Sequence, residues 1–200
     1  VVRRDVLVLC LVLLSAHALA AVRQLPQQVI LQYAVQYGDG GLRLGTATYV
    51  WQSANDHYLL SNEAEAQGLA SLFVSGKAVQ TSEGHIDAGG LRPDNFVVQR
   101  NGVRKEFARF DWQARRLELY RGKVEPLTPL TQDLLSLPFH LALTVKTPDN
   151  GGKSNWVLPV TNGRSVKDYH FHVVGMERIE VLGKQTEVLH IRATRLGKGG

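Results

Sequence analysis

Residues 103–121 constrain this chain more than any other stretch. Centring a turn on Gln113-Ala114 sets Phe107 opposite Tyr120, Arg109 opposite Glu118 and Asp111 opposite Arg116 on one face. On the other face Phe110 meets Leu117 and Ala108 meets Leu119. Opposite charges and aromatic rings across one face, with core residues across the other, are the pairs that stabilise an antiparallel ladder. A slip by one residue would exchange the two faces, so the register is strongly specified. The pairing also assigns Arg109 and Arg116, two members of the local basic run, to carboxylate partners.

A period of two runs through most of the chain. Val29, Leu31, Tyr33, Val35 and Tyr37 share one face, and Gln28, Gln32 and Gln36 the other. Asp39-Gly40 is the residue pair that a type I′ hairpin turn requires. Folding about it pairs Val35 with Leu44, Tyr33 with Thr46, Leu31 with Thr48 and Val29 with Val50. A third hairpin is expected to turn at Asn162-Gly163, with Trp156 opposite Tyr169, and a fourth near Leu182-Gly183. Shorter strands are expected around 57–62, 72–81 and 95–100, separated by Gly68, Ser82-Glu83-Gly84 and Gly89-Gly90.

One segment departs from this period. Thr128-Pro129 reads as an N-cap followed by proline at the first helical position. Leu130, Leu134, Leu137 and Leu141 then recur at helical spacing, widened by Leu135 and Phe139. Gln132, Asp133, Ser136, His140 and Thr144 take the opposite side. Pro138 is expected to kink the helix or end its first half. The expected fold is therefore mainly β: a curved antiparallel sheet, half-barrel or open barrel, packed on one central helix. The strand at 185–195 stops at Gly197-Lys198-Gly199-Gly200 with nothing to cover its edge, so truncation at the C-terminus is expected.

The N-terminus speaks to compartment. Arg3 and Arg4 precede the apolar run 6–14, and Ala18-Leu19-Ala20 supplies a small-x-small cleavage pattern. The run is shorter than the ~20 residues that span a bilayer. Residues 1–20 are thus expected to be a cleaved signal peptide, and 21–200 a single β-rich periplasmic domain. Cys10, the only cysteine, lies inside the apolar run, so the mature domain has no disulfide and no thiol chemistry. Of the net charge of +5, Arg3, Arg4 and Asp5 contribute +1, which leaves about +4 on the mature domain. That balance is too diffuse to argue for nucleic acid. No nucleotide fingerprint and no zinc-protease motif occurs, and no cofactor is implied.

Several short motifs stand together in order: Ser82-x-Gly84, Gly90-Leu91-Arg92-Pro93, Phe110-Asp111-Trp112 and Gln132-Asp133-Leu134-Leu135-Ser136, with Tyr169, Gly175 and Gly183 downstream. In these the chain resembles family 3108 of the domains of unknown function, a group of exported bacterial proteins. The likeness spans about residues 29–195. It implies a Gram-negative periplasmic protein and brings no activity with it.

The candidate chemistry is sparse. Asp133, Ser136 and His140 have the composition of a hydrolase triad, but on one helix they emerge nearly parallel, so no catalytic residue is assigned. His170 and His172 share a strand face beside Asp168, with His190 as a further possible ligand; two imidazoles alone do not make a metal site, and none is assigned. Glu63, Glu83 and Glu106 are carboxylates that sequence cannot pair. Trp51, Trp112 and Trp156 read as core or as the lining of an apolar cavity. Arg92, held between Gly90 and Pro93, reads either as a clamp for an anion or as one half of an ion pair with Asp133 or Asp111, the ion pair with Asp133 being preferred. The ligand-binding candidates are Arg92, Trp112, Asp133, Ser136 and His140. The expected function is non-enzymatic binding of a lipid-like or amphipathic ligand in the cell envelope, and the expected partner is a lipid-like or anionic envelope ligand, with no nucleic acid and no nucleotide. The alternatives are an envelope scaffold that docks through a sheet edge, and an envelope glycan or ester hydrolase.

Overall fold

The computed structural model describes residues 25–37, 42–66, 77–146 and 154–197. The expected signal peptide (residues 1–20), the expected turn at Asp39-Gly40, Gly68, residues 72–76 and the final 198–200 lie outside them.

Eight strands form one antiparallel meander: β1 (Gln28–Tyr37), β2 (Leu42–Ala54), β3 (His57–Ala66), β4 (Lys77–Asp87), β5 (Gly90–Arg100), β6 (Val103–Asp111), β7 (Arg116–Leu119) and β8 (Lys123–Pro126). Each strand pairs with its neighbour in sequence, and β1 and β8 stay apart, so the curled sheet is an open half-barrel. A second sheet follows, in the order β12-β11-β10-β9: β9 (Gln132–Asp133), β10 (Asn155–Thr161), β11 (Val166–Val181) and β12 (Lys184–Arg195). The helix α1 (Ser136–Thr144) lies between β9 and β10 in the chain and packs against β5 of the half-barrel.

The inner face of the half-barrel makes the core. Trp51, Leu60, Phe96, Val98, Ala108, Phe110, Leu117 and Leu119 are buried there with Leu127 and Leu135. Trp51 is sandwiched between Tyr58 and Phe139, with ring centroids 5.9 and 5.7 Å away, and its indole N–H donates to the Pro26 carbonyl at 2.9 Å. Phe139 therefore anchors the helix on β2. The second sheet buries Leu158, Val160, Phe171 and Val173. Its turn 162–165 docks on the first sheet: the Tyr120 N–H donates to the Gly163 carbonyl at 2.9 Å, and Arg164 and Arg100 both reach the buried Glu106.

The β6–β7 hairpin has the expected register at all four strand pairs, and Phe107 meets Tyr120 edge-to-face. The turn at Leu182-Gly183 is also as expected, with Val181 opposite Lys184. Four expectations need correction. In β1–β2, Tyr37 opposes Leu42, but a bulge beside Val35 then shifts the ladder by one. Val35, Tyr33, Leu31 and Val29 oppose Gly45, Ala47, Tyr49 and Trp51. The shift turns Trp51 inward, where burial of a large aromatic ring outweighs the cost of the bulge. In β10–β11, Trp156 opposes Phe171, because the loop takes four residues, 162–165, capped by Asn162 Oδ1 on the amides of Arg164 and Ser165. Ser82-Glu83-Gly84 does not separate strands: it lies inside β4, at a bulge.

The fourth correction concerns the helix. It starts at Ser136, not after Thr128, because Gln132 and Asp133 pair in parallel with Val160 and Thr161 instead. Pro138 is then the third helical residue, where its missing N–H has no helical acceptor to lose, so it does not kink α1. Burial along 130–140 also departs from the expected stripe, although Leu135 and Phe139 do pack on the core. Leu130 and Leu134 are 51% and 44% exposed, whereas Gln132, Asp133 and Ser136 are fully buried and His140 nearly so.

Asn62, on the inner face of β3, is buried with its Nδ2 unpartnered among the described residues. An unmet buried donor costs about 1–3 kcal/mol. Asn62→Val, which suits a strand, is therefore expected to raise the urea midpoint of unfolding. A lowered midpoint would mean that the amide has a role in packing.

Candidate functional site

The residues that sequence singles out fall into two places. Asp133, Ser136 and His140 belong to a closed polar seam between α1 and the half-barrel. Asp133 accepts at Oδ1 from the amides of Leu135 and Ser136, both at 2.8 Å, and so caps the helix from outside it. Its Oδ2 accepts from the Ser82 hydroxyl at 2.7 Å, and Ser82 in turn meets Tyr58 Oη at 3.1 Å. Ser136 donates to Gln132 Oε1 at 3.0 Å, and Gln132 Nε2 donates to the Leu91 carbonyl at 2.9 Å. The Leu91 amide donates to His140 Nδ1 at 3.2 Å. Both polar groups of Leu91 are thus held, the carbonyl by β9 and the amide by α1.

This geometry accounts for the glycines of the motifs. A Cβ at Gly84 would sit 2.2 Å from the Arg92 carbonyl oxygen. Gly90 has φ +106°, and a Cβ there would lie 2.8 Å from His140 Nδ1 and 2.5 Å from Thr144 Cγ2. Close approach of backbone and helix needs both positions bare.

The electrostatics follow from burial. Desolvation pushes the Asp133 carboxyl up to about 6, against the hydrogen bonds from Ser82, Ser136 and Leu135 that favour its charge. Burial raises the Tyr58 hydroxyl and lowers His140. With Nδ1 accepting from an amide, a neutral His140 carries its proton on Nε2. His140 bonds to Leu91 and not to Ser136 or Asp133, so these three residues do not form a catalytic relay.

The preferred ion pair of Arg92 is also absent, with Asp133 and with Asp111 alike. Asp133 is held by Ser82, and Asp111 accepts the Ala114 amide at 2.8 Å in the β6–β7 turn. Arg92 is exposed and lies over Trp112, its guanidinium carbon 5.0 Å from the ring centroid. Arg92 and Trp112 thus sit together on an open cleft, apart from the seam. Sequence reasoning missed Tyr58 as a member of the seam; Ser82 and Gln132 stood in the motifs, but without a partner in view.

The other candidates are accounted for locally. His172 meets Asn155 Oδ1 at 2.9 Å, and His190 pairs with Glu177. No group of three or more potential metal ligands occurs among the described residues. Glu63 pairs with Lys77, Glu83 accepts from Asn95, and Glu106 pairs with Arg100 and Arg164, so these carboxylates do not face one another across a groove.

A second open feature lies on the concave side. Leu31, Tyr33, Val35, Ala47 and Tyr49 of the sheet face Pro138, Phe139 and Ala142 of the helix across a groove of about 520 Å³. A smaller hollow of about 150 Å³ at Leu25, Pro26, Val29, Trp51 and Leu143 shares Phe139 and Ala142 with it. No charged side chain lines either. The alternation of 29–35 was a signal for this groove, since α1 covers only part of that apolar face.

Fold and seam together define a class: mainly-β half-barrels clamped to one short helix through a buried carboxylate. The chain belongs to the family described as protein of unknown function DUF3108, whose model matches residues 32–200. No curated protein and no solved structure matches it.

Proposed function

We propose that this protein is a non-enzymatic binding protein of the bacterial envelope that holds a lipid-like or amphipathic ligand in the groove between β1–β2 and α1. One observation carries the reading: the groove is mostly apolar and free of charged side chains, yet Leu31, Tyr33 and Val35 on its wall stay 38–52% exposed. Contiguous apolar surface left open in a folded domain is the mark of a ligand or partner site. Its volume falls within the range of small-molecule sites. The expected export in residues 1–20 would place it in the periplasm.

The test uses the full chain expressed in a Gram-negative host and recovered from the periplasm. N-terminal sequencing is expected to begin at Ala21. Lipid extraction is expected to release an acyl-chain compound, and the stripped protein to bind the neutral probe N-phenyl-1-naphthylamine. Leu31→Glu places a charge that must be desolvated on binding, and is expected to weaken the probe by about tenfold or more. Ala142→Trp fills the groove and is expected to do the same. Unchanged probe binding in both variants would sink the groove as the site.

A second reading has its own observation. β12 ends the second sheet, and the β11–β12 hairpin exposes Val174, Met176, Ile179, Val181 and Leu182. An exposed strand edge can take a partner strand by β-augmentation. Specific cross-links from this hairpin in intact cells, with no lipid in the groove, would favour it.

A further inference from the structure

We propose that the cleft between the β4–β5 turn, the β6–β7 turn and the segment 127–130 is a separate binding site for an organic anion, with a flat aromatic or apolar body and a single carboxylate or phosphate group. The cleft holds about 440 Å³ and is lined in part by Leu91, Arg92, Trp112, Arg115, Leu127 and Leu130. Four independent features converge on it.

First, its cations are unspent. Arg100 and Arg109 on this sheet have carboxylate partners in Glu106 and Glu118, whereas Arg104 lies over Phe107. Arg92 and Arg115 have none among the described residues, although both line the cleft. The lining sets one carboxylate, Asp87, against two guanidiniums, so the cleft keeps a net positive charge.

Second, the aromatic platform is rigid. Trp112 donates its indole N–H to the Pro93 carbonyl at 2.7 Å and stacks on Phe110 at 5.8 Å. Arg92 lies over the ring of Trp112. A guanidinium held in place by a cation–π contact loses less freedom when it closes on an anion.

Third, Leu91 and Leu127 are buried and give the cleft apolar walls suited to a hydrophobic body. Fourth, the rim is strained. Leu130 has φ +63°, an unusual conformation for a branched side chain, and Arg115 has φ +51°. The backbone holds Leu130 half-exposed at the lip, where folding alone would gain by burying it. Strain of this kind clusters at ligand sites.

The chemistry that fits is two guanidiniums for an oxyanion, with the Arg92–Trp112 pair and the leucine walls bordering a flat apolar body. The test titrates the full chain with 2-naphthoate, its neutral amide 2-naphthamide and inorganic phosphate, following the indole N–H signals by NMR. The expected result is saturable binding of 2-naphthoate that shifts the Trp112 indole, with 2-naphthamide weaker by about tenfold or more. Arg92→Gln and Arg115→Gln are each expected to weaken 2-naphthoate by a similar factor while leaving the melting temperature unchanged, since both side chains are exposed. Phosphate that displaces 2-naphthoate would show that the anionic group alone is recognised; phosphate without effect would show that the aromatic body is required. Either result fits the site. Ala142→Trp, which blocks the concave groove, is expected to leave 2-naphthoate binding intact, so failure here is distinguishable from failure of the groove. Equal binding of acid and amide, no loss in either arginine variant, or loss only in Ala142→Trp would overturn the proposal.

Discussion

Asp133→Asn is expected to make the protein more stable than the native chain at pH 7.5 and to flatten its stability between pH 4.5 and 7.5. Asp133 is fully buried, with no cationic partner among the described residues. Its carboxyl is raised from 3.8 to about 6 in the folded chain. Between those values the folded chain holds a proton that the unfolded chain has lost. The associated stability is therefore fully present below pH ~4 and is lost as pH rises through 6. A shift of about two units corresponds to about 3 kcal/mol. Asparagine keeps the acceptor for the Leu135 and Ser136 amides and can donate to Ser82, without a charge to desolvate. Asp133→Ala behaves differently. It leaves two buried amides unpaired and is expected to cost about 2–5 kcal/mol at pH 4.5, with a smaller loss at pH 7.5 where the desolvated charge is also removed. Urea unfolding of the three proteins at both pH values decides the matter. A native midpoint that falls no more steeply with pH than that of Asp133→Asn would show that the carboxylate is charged at little cost.

Gly84→Ala is expected to be as damaging as the loss of Asp133, through a different cause. The added carbon would lie 2.2 Å from the Arg92 carbonyl oxygen, 2.8 Å from Pro93 Cα and 2.9 Å from the Asp94 amide nitrogen. These are backbone atoms of β5 at the β4–β5 bulge, so no side chain can rotate away. The two strands must part where Ser82 and Leu91 hold the helix. Overpacking in a tight core costs about 3 kcal/mol at its upper range, and here the seam is disturbed as well. Gly102 provides the control. Unlike Gly84 it has a positive φ, but a Cβ there meets nothing within 4 Å, so Gly102→Asn, which tolerates that conformation, is expected to cost about 1 kcal/mol or less. Thermal melts that rank the two variants equally would mean that close strand approach at Gly84 is not what its lack of a side chain serves.

Apart from the β10–β11 register, which its own four-residue loop decides, the sequence expectations failed or held according to how far away the deciding partner lies. The β6–β7 register is right because its partners are within twenty residues and both faces agree. The β1–β2 ladder slipped because the reward for the bulge is the seat of Trp51 against Tyr58 and Phe139, the latter far along the chain. The helix start was misplaced because Thr128-Pro129 has the local chemistry of a cap, while the parallel pairing of Gln132 and Asp133 with β10 lies almost thirty residues ahead. Pairing Arg92 with Asp133 is the sequence expectation because Asp133 reads as the start of a helix and Asp111 faces Arg116; only the folded chain shows that Ser82 already occupies the Asp133 carboxylate.

Alternating side chains, turn residues and cross-strand charge pairs are local quantities, and from them the sequence by itself determined a mainly-β half-barrel with one helix, the β6–β7 register and the cluster of motifs that marks the family. Which side chains of the segment 130–140 turn inward is settled only in the folded chain. Hydrophobic spacing points Leu130 and Leu134 to the core. Burial of Gln132, Asp133, Ser136 and His140 prevails because Ser82 and Leu91, about fifty residues earlier, meet their hydrogen bonds. A polar face is costly to bury only while its partners are missing, and those partners come into reach only when β4 and β5 close over the helix.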